Sequence, residues 1–245
     1  MMSIRTLQAC SKTSLAQSPR ILVQTFNPFI MKNKKTYYLL VLDRSGSMQD
    51  CVGETISGFN EQVQMIRDLQ KKYPEQEFHV SLCLFNHDVD QVFEKVNVKS
   101  VKELTKHSYI PDGSTALLDA IGESVHKLKY SIEGEIERDE ATAIVVILTD
   151  GHENASKVYS HENVRNLIRD LEKSASWSFS FLGATLDAVN VAESMNISRK
   201  NSAVYSKGKT VELFRMMSNS MDHYAEAKER NVKEKDFLKE ESGDI

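Results

Sequence analysis

From residue 37 onward, the chain alternates short apolar runs with segments in which apolar residues recur every three or four positions. The run 143–148 contains no polar residue, which is typical of a central strand covered on both faces. The segment 55–72 has the apolar spacing of an amphipathic helix. Because strands that alternate with helices favour βαβ units, the sequence predicts an α/β domain with a largely parallel sheet.

The same patterns place the predicted elements along the chain. Strands are predicted over 37–42, 78–85, 143–148 and 177–182. Helices are predicted over 55–72, 115–130, 161–173, 186–195 and 211–224. The turn 86–88 leads into a further strand, 89–96, which we expect to form an antiparallel hairpin at the edge of the sheet. The charged stretch 133–140 is predicted to be a loop.

Composition divides the chain into three parts. Residues 1–35 contain no acidic residue. They are predicted to be a disordered extension, or to be present because the start codon was assigned upstream of the true one at Met31. A targeting segment is the alternative for this part. Residues 36–225 are predicted to form the α/β domain. Residues 226–245 are dense in charges of both signs and are predicted to form a solvated helix or tail.

Charge and cysteine content narrow the classes of partner. The net charge of −4 and the isoelectric point near 6.0 argue against nucleic acid as a partner, because nucleic-acid binding normally requires a basic surface. The three cysteines are Cys10, Cys51 and Cys83, and no pair has zinc-type spacing. Their odd number predicts a reducing, cytoplasmic location. No apolar run approaches the roughly 20 residues that a membrane span requires, so no membrane partner is expected.

Five oxygen-bearing residues follow the predicted strands or precede a predicted helix. They are Asp43, Ser45, Ser47, Thr115 and Asp150. The carboxyl ends of parallel strands meet at one edge of a sheet, where ligands of α/β proteins bind. Oxygen atoms are the ligands that Mg²⁺ prefers. The sequence therefore predicts that these five residues converge on one metal ion.

This set of residues resembles the metal-ion-dependent adhesion site of the von Willebrand factor type A domain, in a match that covers roughly residues 36–225. The resemblance extends to the segments around Thr115 and Asp150, and to Phe181-Leu182-Gly183-Ala184, which is typical of intracellular prokaryotic and phage-like members. It implies a three-layer, Rossmann-like fold. In that fold a mostly parallel central sheet has an antiparallel edge strand, and helices cover both faces.

The resemblance also implies a role for each residue of the site. Ser45 and Ser47 would bind Mg²⁺, or Mn²⁺ in its place, directly through their hydroxyls. Thr115 would bind directly or through water, and Asp43 and Asp150 would act largely through bridging water. The remaining position would take an Asp or Glu carboxylate from a protein partner. The chain is thus expected to be a metal-ion-dependent protein-binding module and not an enzyme.

Two other functions remain open at this point. The chain could be a subunit of a larger machine that works with an AAA-type ATPase. It could also be a Mg²⁺-dependent, phosphatase-like enzyme, because an aspartate after the first strand also opens haloacid-dehalogenase-type phosphatases. Those enzymes carry a second aspartate two residues later, where this chain has Ser45. Phosphoryl transfer is therefore the weaker prediction.

Residues beside the predicted site receive a more ordinary interpretation. Asp119 is predicted to support a loop near the site from its position on a helix. Residues 152–154 follow Asp150 closely and could line the rim of the site, but a surface loop and helix start are favoured for them.

Overall fold

The computed structural model describes residues 34–184, 187–206 and 210–239. Within these ranges the strands are β1 (Lys35–Asp43), β2 (Glu77–Phe85), β3 (Val89–Asn97), β4 (Ala141–Thr149), β5 (Trp177–Gly183) and β6 (Ser202–Val204). The α-helices are α1 (Val52–Lys72), α2 (Leu117–Glu137), α3 (His161–Glu172), α4 (Ala188–Ser194) and α5 (Thr210–Glu229).

The six strands form one mixed sheet in the order β3-β2-β1-β4-β5-β6. Neighbouring strands are parallel except for β2 and β3, which form an antiparallel hairpin at one edge. The prediction of a mostly parallel sheet with an antiparallel edge strand is therefore confirmed. The strand order changes direction between β1 and β4, and ligands of open α/β sheets bind beyond the carboxyl ends of the strands at such a point.

Alternate residues of β1 face two separate hydrophobic clusters. Tyr38, Leu40 and Leu42 lie in a cluster that α1 and α5 cover. The intervening residues of the strand lie in a second cluster, which α2, α3 and α4 cover. Because both faces of β1 and β4 are buried, the strands read as continuous apolar runs. The result is the predicted three-layer arrangement with helices on both faces of the sheet.

Helices α1 and α5 approach closely at Gly58. A Cβ atom at this position would lie 1.9 Å from the ring of Phe214. We expect Gly58→Ala to lower the free energy of unfolding by about 1–3 kcal/mol, because the added methyl group overpacks the contact between the helices. Gly53→Ala in the same helix is the matched control, since nothing lies within 4 Å of a Cβ there. Urea unfolding of both variants measures the effect, and equal stabilities would contradict the close approach.

Helix α2 extends further than its sequence pattern predicts. It continues to Glu137, so the predicted loop over 133–140 is wrong for most of its length. Glu135 explains the difference, because its carboxylate accepts a hydrogen bond from the Tyr37 hydroxyl at 2.7 Å and pairs with Lys35 at 3.0 Å. These contacts hold the charged last turn of the helix against the start of β1.

The C-terminal part of the chain also differs from its prediction. Helix α5 runs on to Glu229, and Phe237 and Leu238 are both buried in the cluster beneath α1 and α5. Of the predicted solvated helix or tail over 226–245, the helix to Glu229 and the exposed stretch 229–233 agree with the prediction, whereas the burial of Phe237 and Leu238 differs from it. Two apolar residues in a charged stretch show no periodicity, so the sequence pattern missed them. The predicted extension lies outside the described residues, apart from residue 34 and Lys35, the first residue of β1.

Candidate functional site

The candidate site lies beyond the carboxyl ends of β1 and β4, and Asp43 forms its floor. Asp43 is the last residue of β1 and is fully buried. Its Oδ1 accepts a hydrogen bond from the backbone N–H of Ser45 at 2.6 Å, and its Oδ2 accepts one from the hydroxyl of Thr149. Burial raises the pKa of Asp43 above its ordinary value, although these two hydrogen bonds oppose the shift. The carboxylate therefore fixes the first turn of the loop that follows β1.

The hydroxyls of Ser45 and Ser47 lie together, and that of Ser47 contacts the carboxylate of Asp150. The two serine Oγ atoms lie 3.0 Å apart, and the Oγ of Ser47 donates a hydrogen bond to Oδ1 of Asp150. Ser45 and Asp150 are buried, whereas Ser47 is exposed. The structure thus brings residues from the ends of β1 and β4 into direct contact, and Ser47 lies on the side that faces solvent.

The hydroxyl of Thr115 borders the same site, next to the carboxylate of Asp43. A Cβ atom at Gly151 would lie 2.8 Å from Oγ1 of Thr115 and 3.4 Å from Oδ2 of Asp43. The missing side chain of Gly151 therefore leaves a space that both oxygens border. Asn154 fixes the backbone of Thr115, because its side chain accepts from the Thr115 N–H at 2.9 Å and its own N–H donates to the Thr115 carbonyl at 3.0 Å.

Hydrogen bonds between loops hold Thr115 close to the loop after β1. The N–H of Gly46 donates to the carbonyl of Gly113 at 3.0 Å, and the N–H of Asp112 donates to the carbonyl of Arg44 at 2.9 Å. Gly113 has φ +73°, a conformation that favours glycine. Beneath these loops the buried hydroxyl of Tyr109 donates to the carbonyl of Asp43 at 2.6 Å. The five predicted residues are thus together at one edge of the sheet.

Asp119 holds the loop that follows Asp150. Its two carboxylate oxygens accept hydrogen bonds from the backbone N–H groups of Lys157, Val158 and Tyr159 at 2.7–2.9 Å. Burial opposes ionisation of Asp119, but these three donors outweigh it and hold its pKa below the ordinary value. Asp119 therefore supports a loop from its helix, as predicted.

Glu153 connects the same loop to the start of α2. Its carboxylate accepts from the N–H of Leu118 at 2.9 Å and from the N–H and hydroxyl of Ser156 at 2.8 and 2.7 Å. Residues 152–154 lie in the loop, but they do not start a helix, because α3 begins only at His161. Glu153 supplies the acidic partner that the N-terminal turn of α2 requires.

The chemistry of the donors decides which metal would fit. No group of three His, Cys, Asp or Glu side chains that could hold a metal occurs among the described residues. The site instead combines three hydroxyls with two carboxylates, which is an oxygen-only set. Such a set suits Mg²⁺ or Mn²⁺ and not the softer metals that favour nitrogen or sulfur. The residues present therefore fit a hard divalent cation.

Three residues beyond the five predicted ligands complete the site. Thr149 binds Asp43, Gly151 leaves the space beside Thr115, and Asn154 fixes the Thr115 backbone. Thr149 and Gly151 flank Asp150 directly, so their position in the sequence was a usable signal. Asn154 belongs to the stretch 152–154 that could line the rim, but its hydrogen bonds to Thr115 depend on a loop crossing that no local pattern reveals.

Known proteins agree with this fold. The family model of the von Willebrand factor type A domain matches residues 39–226. A search of curated protein sequences finds no significant match.

None of the helices in the described part of the chain has the length and apolar character needed to cross a bilayer.

Solved structures with a similar fold come from distant organisms. A point mutant of the PilB minor pilin from Streptococcus sanguinis has a TM-score of 0.51 at 13% identity, over 81% of this chain and 63% of that one. Proximal thread matrix protein 1 from the mussel byssus has a TM-score of 0.50 at 15% identity, over 75% and 45%. The manganese-loaded TRAP protein of Plasmodium vivax has 0.48 at 18% identity, over 75% and 72%.

These identities bear on the fold alone, and the chain spans less than half of the mussel protein. The family match is broader, because it covers most of the residues that form the sheet and its helices. The chain therefore belongs to the von Willebrand factor type A domain family.

Proposed function

We propose that the chain is a metal-ion-dependent protein-binding module. Its Mg²⁺ or Mn²⁺ would be held by Asp43, Ser45, Ser47, Thr115 and Asp150. The convergence of these side chains at the switch point of the sheet is the observation that carries the proposal. Domains of this family commonly mediate protein–protein interaction.

The charges of the site support an acidic ligand. Three of the five donors are neutral hydroxyls, and the two carboxylates, Asp43 and Asp150, would act largely through bridging water. Such a set neutralises a divalent cation incompletely, so the bound ion supplies a positive centre for an external carboxylate. Ser47 is exposed and marks the side from which an Asp or Glu of a partner would approach.

Binding is a better inference than catalysis. Ser45 occupies the position where phosphatases with a strand-end aspartate carry their general acid. Its hydroxyl contacts Ser47 at 3.0 Å, and its backbone N–H is bound to Asp43. This environment suits a metal ligand, and it offers no group that could act as the proton donor at neutral pH.

The cytoplasmic location inferred from the cysteine content stays a prediction.

Removal of one exposed hydroxyl tests the metal site. We expect Ser47→Ala to weaken Mg²⁺ and Mn²⁺ binding by about tenfold or more, since losses of this order follow even from changes to residues around metal ligands. Asp43→Ala should have a similar or larger effect on metal binding. Isothermal titration calorimetry of the full chain with each metal measures both variants.

Ser47→Ala separates metal binding from folding, because the side chain of Ser47 is exposed whereas Asp43 is buried. Asp68→Ala is the matched control, since it removes an exposed carboxylate on α1 that lies away from the site. Equal metal affinities for wild type and Ser47→Ala, with the fold retained, would overturn the proposed function.

A further inference from the structure

A cavity of about 250 Å³ opens beside the candidate metal site. It lies on the face of the sheet that α2, α3 and α4 cover. Its apolar wall consists of Leu117, Leu118, Phe181, Val191 and Met195. Small-molecule sites commonly measure roughly 300–1,000 Å³, so this cavity has the size for amino-acid side chains and not for a typical cofactor.

The cavity and the metal site share a wall. Thr149 and Gly151 line the cavity, and they are the residues on either side of Asp150. Thr149 also donates a hydrogen bond to Asp43. Consecutive Cα atoms lie about 3.8 Å apart, so the neighbour of a residue that binds the metal lies within reach of the wall that Thr149 and Gly151 form.

The polar side chains of the cavity wall have hydrogen-bond partners, apart from the exposed His152. The hydroxyl of Thr149 binds Asp43, the carboxylate of Glu153 accepts several donors, and Nε2 of His161 lies 2.8 Å from Oγ of Ser194. A polar side chain that entered would lose its hydration without gaining a hydrogen bond in return. The lining therefore selects an apolar side chain.

The charge around the mouth is compatible with an acidic segment. Glu153 contributes the negative charge of the lining, and backbone N–H groups at the start of α2 and in its own loop offset it. The other ionisable residues of the lining are His152 and His161. An approaching carboxylate thus meets no uncompensated negative charge at this side of the metal site.

We propose that this cavity is a specificity subsite for a protein partner. It binds a large apolar side chain, such as leucine or phenylalanine, adjacent in the partner's sequence to the acid that meets the metal. The inference rests on the proposed function and adds a second requirement to it. The recognised segment has both an acidic residue and an apolar neighbour.

Labelled hexapeptides test this inference with the full chain. Each contains one glutamate among glycines, and the residue before or after the glutamate is leucine, phenylalanine or serine. In Mg²⁺ we expect the leucine and phenylalanine peptides of at least one series to bind about 10- to 100-fold more tightly than the serine peptide, because burial of one such side chain supplies a difference of this size. Fluorescence anisotropy measures the affinities.

Val191→Phe fills the cavity from α4 and should reduce the preference for leucine over serine to within about twofold. Val92→Phe is the matched control, because it makes the same change at an exposed position on β3, at the opposite side of the sheet. The control should keep the wild-type preference. The ranking of peptides by the wild-type protein tests the inference even if the filled variant does not fold.

The outcomes distinguish the subsite from the metal function. Peptides that bind in Mg²⁺ and are released by EDTA, but with equal affinities for leucine and serine, would overturn the subsite and leave the metal function standing. A preference that Val191→Phe retains would also overturn the subsite. Equal binding with and without Mg²⁺ would overturn the metal-dependent function instead. Absence of binding by every peptide in Mg²⁺ would count against the inference as a whole.

Discussion

Phe237→Ala is expected to lower the free energy of unfolding by about 3–5 kcal/mol, the usual cost of removing a buried aromatic side chain. Phe237 lies beyond the family match, which ends at 226, yet its side chain is fully buried. Its ring centroid lies 6.2 Å from that of Tyr38 and 6.3 Å from that of Tyr224. The residue therefore joins the C-terminal segment to both the central strand and the last helix.

The backbone of this segment is also fixed. The N–H of Leu238 donates to the side chain of Asn201 at 3.3 Å, and the N–H of Lys239 donates to the hydroxyl of Ser220 at 3.0 Å. Loss of the Phe237 ring would leave a cavity between elements that these bonds hold in place, so the site could collapse only in part. That restriction favours the upper part of the expected range.

Thermal unfolding measures the effect. For a domain of this size a loss of 1 kcal/mol shifts Tm by about 2–4 °C, so Phe237→Ala should lower Tm by roughly 6–20 °C. Phe237→Leu should have a smaller effect, because it keeps most of the buried volume. Lys235→Ala is the control in the same segment, since Lys235 is exposed. A Tm within 2 °C of wild type for Phe237→Ala would mean that the segment does not pack as described, since Tm should fall by roughly 6 °C or more.

The fold could be predicted from sequence because its strands are continuous apolar runs. In β4 all nine residues are buried, and each predicted helix has one apolar face. The ends of α2 and α5 were not predicted, because contacts to distant residues stabilise them. Glu135 binds Tyr37 across 98 positions of the chain, and such a contact leaves no local pattern.

The same distinction applies to the site. Its five residues could be chosen because each stands at a strand end or before a helix, and parallel topology brings those positions to one edge. Tyr109 and Asn154 could not be chosen in this way. Tyr109 reaches the carbonyl of Asp43 across 66 positions, and Asn154 reaches Thr115 across 39. Their roles depend on how two loops cross above the sheet.

Lys228 is expected to make the free energy of unfolding vary with pH in the alkaline range. It is buried near the end of α5, and its Nζ donates to the carbonyl of Lys35 and to the hydroxyls of Thr36 and Thr142, at 2.7 and 3.0 Å for the hydroxyls. Burial lowers its pKa well below the ordinary value. The charge of Asp139 opposes this shift, and that of a second lysine adds to it.

The sign of the effect follows from proton binding. Between the lowered pKa of the folded state and the ordinary lysine pKa of about 10.4, the unfolded chain binds more protons at Lys228 than the folded protein does. The free energy of unfolding therefore rises with pH in this window, by up to about 1.4 kcal/mol per pH unit. The stability is fully present above the ordinary pKa and is lost as the pH falls toward the lowered one.

Lys228→Met removes this proton and keeps a side chain of similar length. Urea unfolding of both proteins at pH 7, 8, 9 and 10 gives the difference between their free energies of unfolding at each pH. The titration of other groups, such as the buried tyrosines, is common to both proteins and cancels in this difference. We expect this difference to shift in favour of wild type as the pH rises. Lys71→Met, at an exposed position of α1, should leave the pH dependence unchanged. Parallel profiles for wild type and Lys228→Met would mean that Lys228 keeps its charge in the folded protein, because its three oxygen partners then stabilise the ammonium enough to offset its burial.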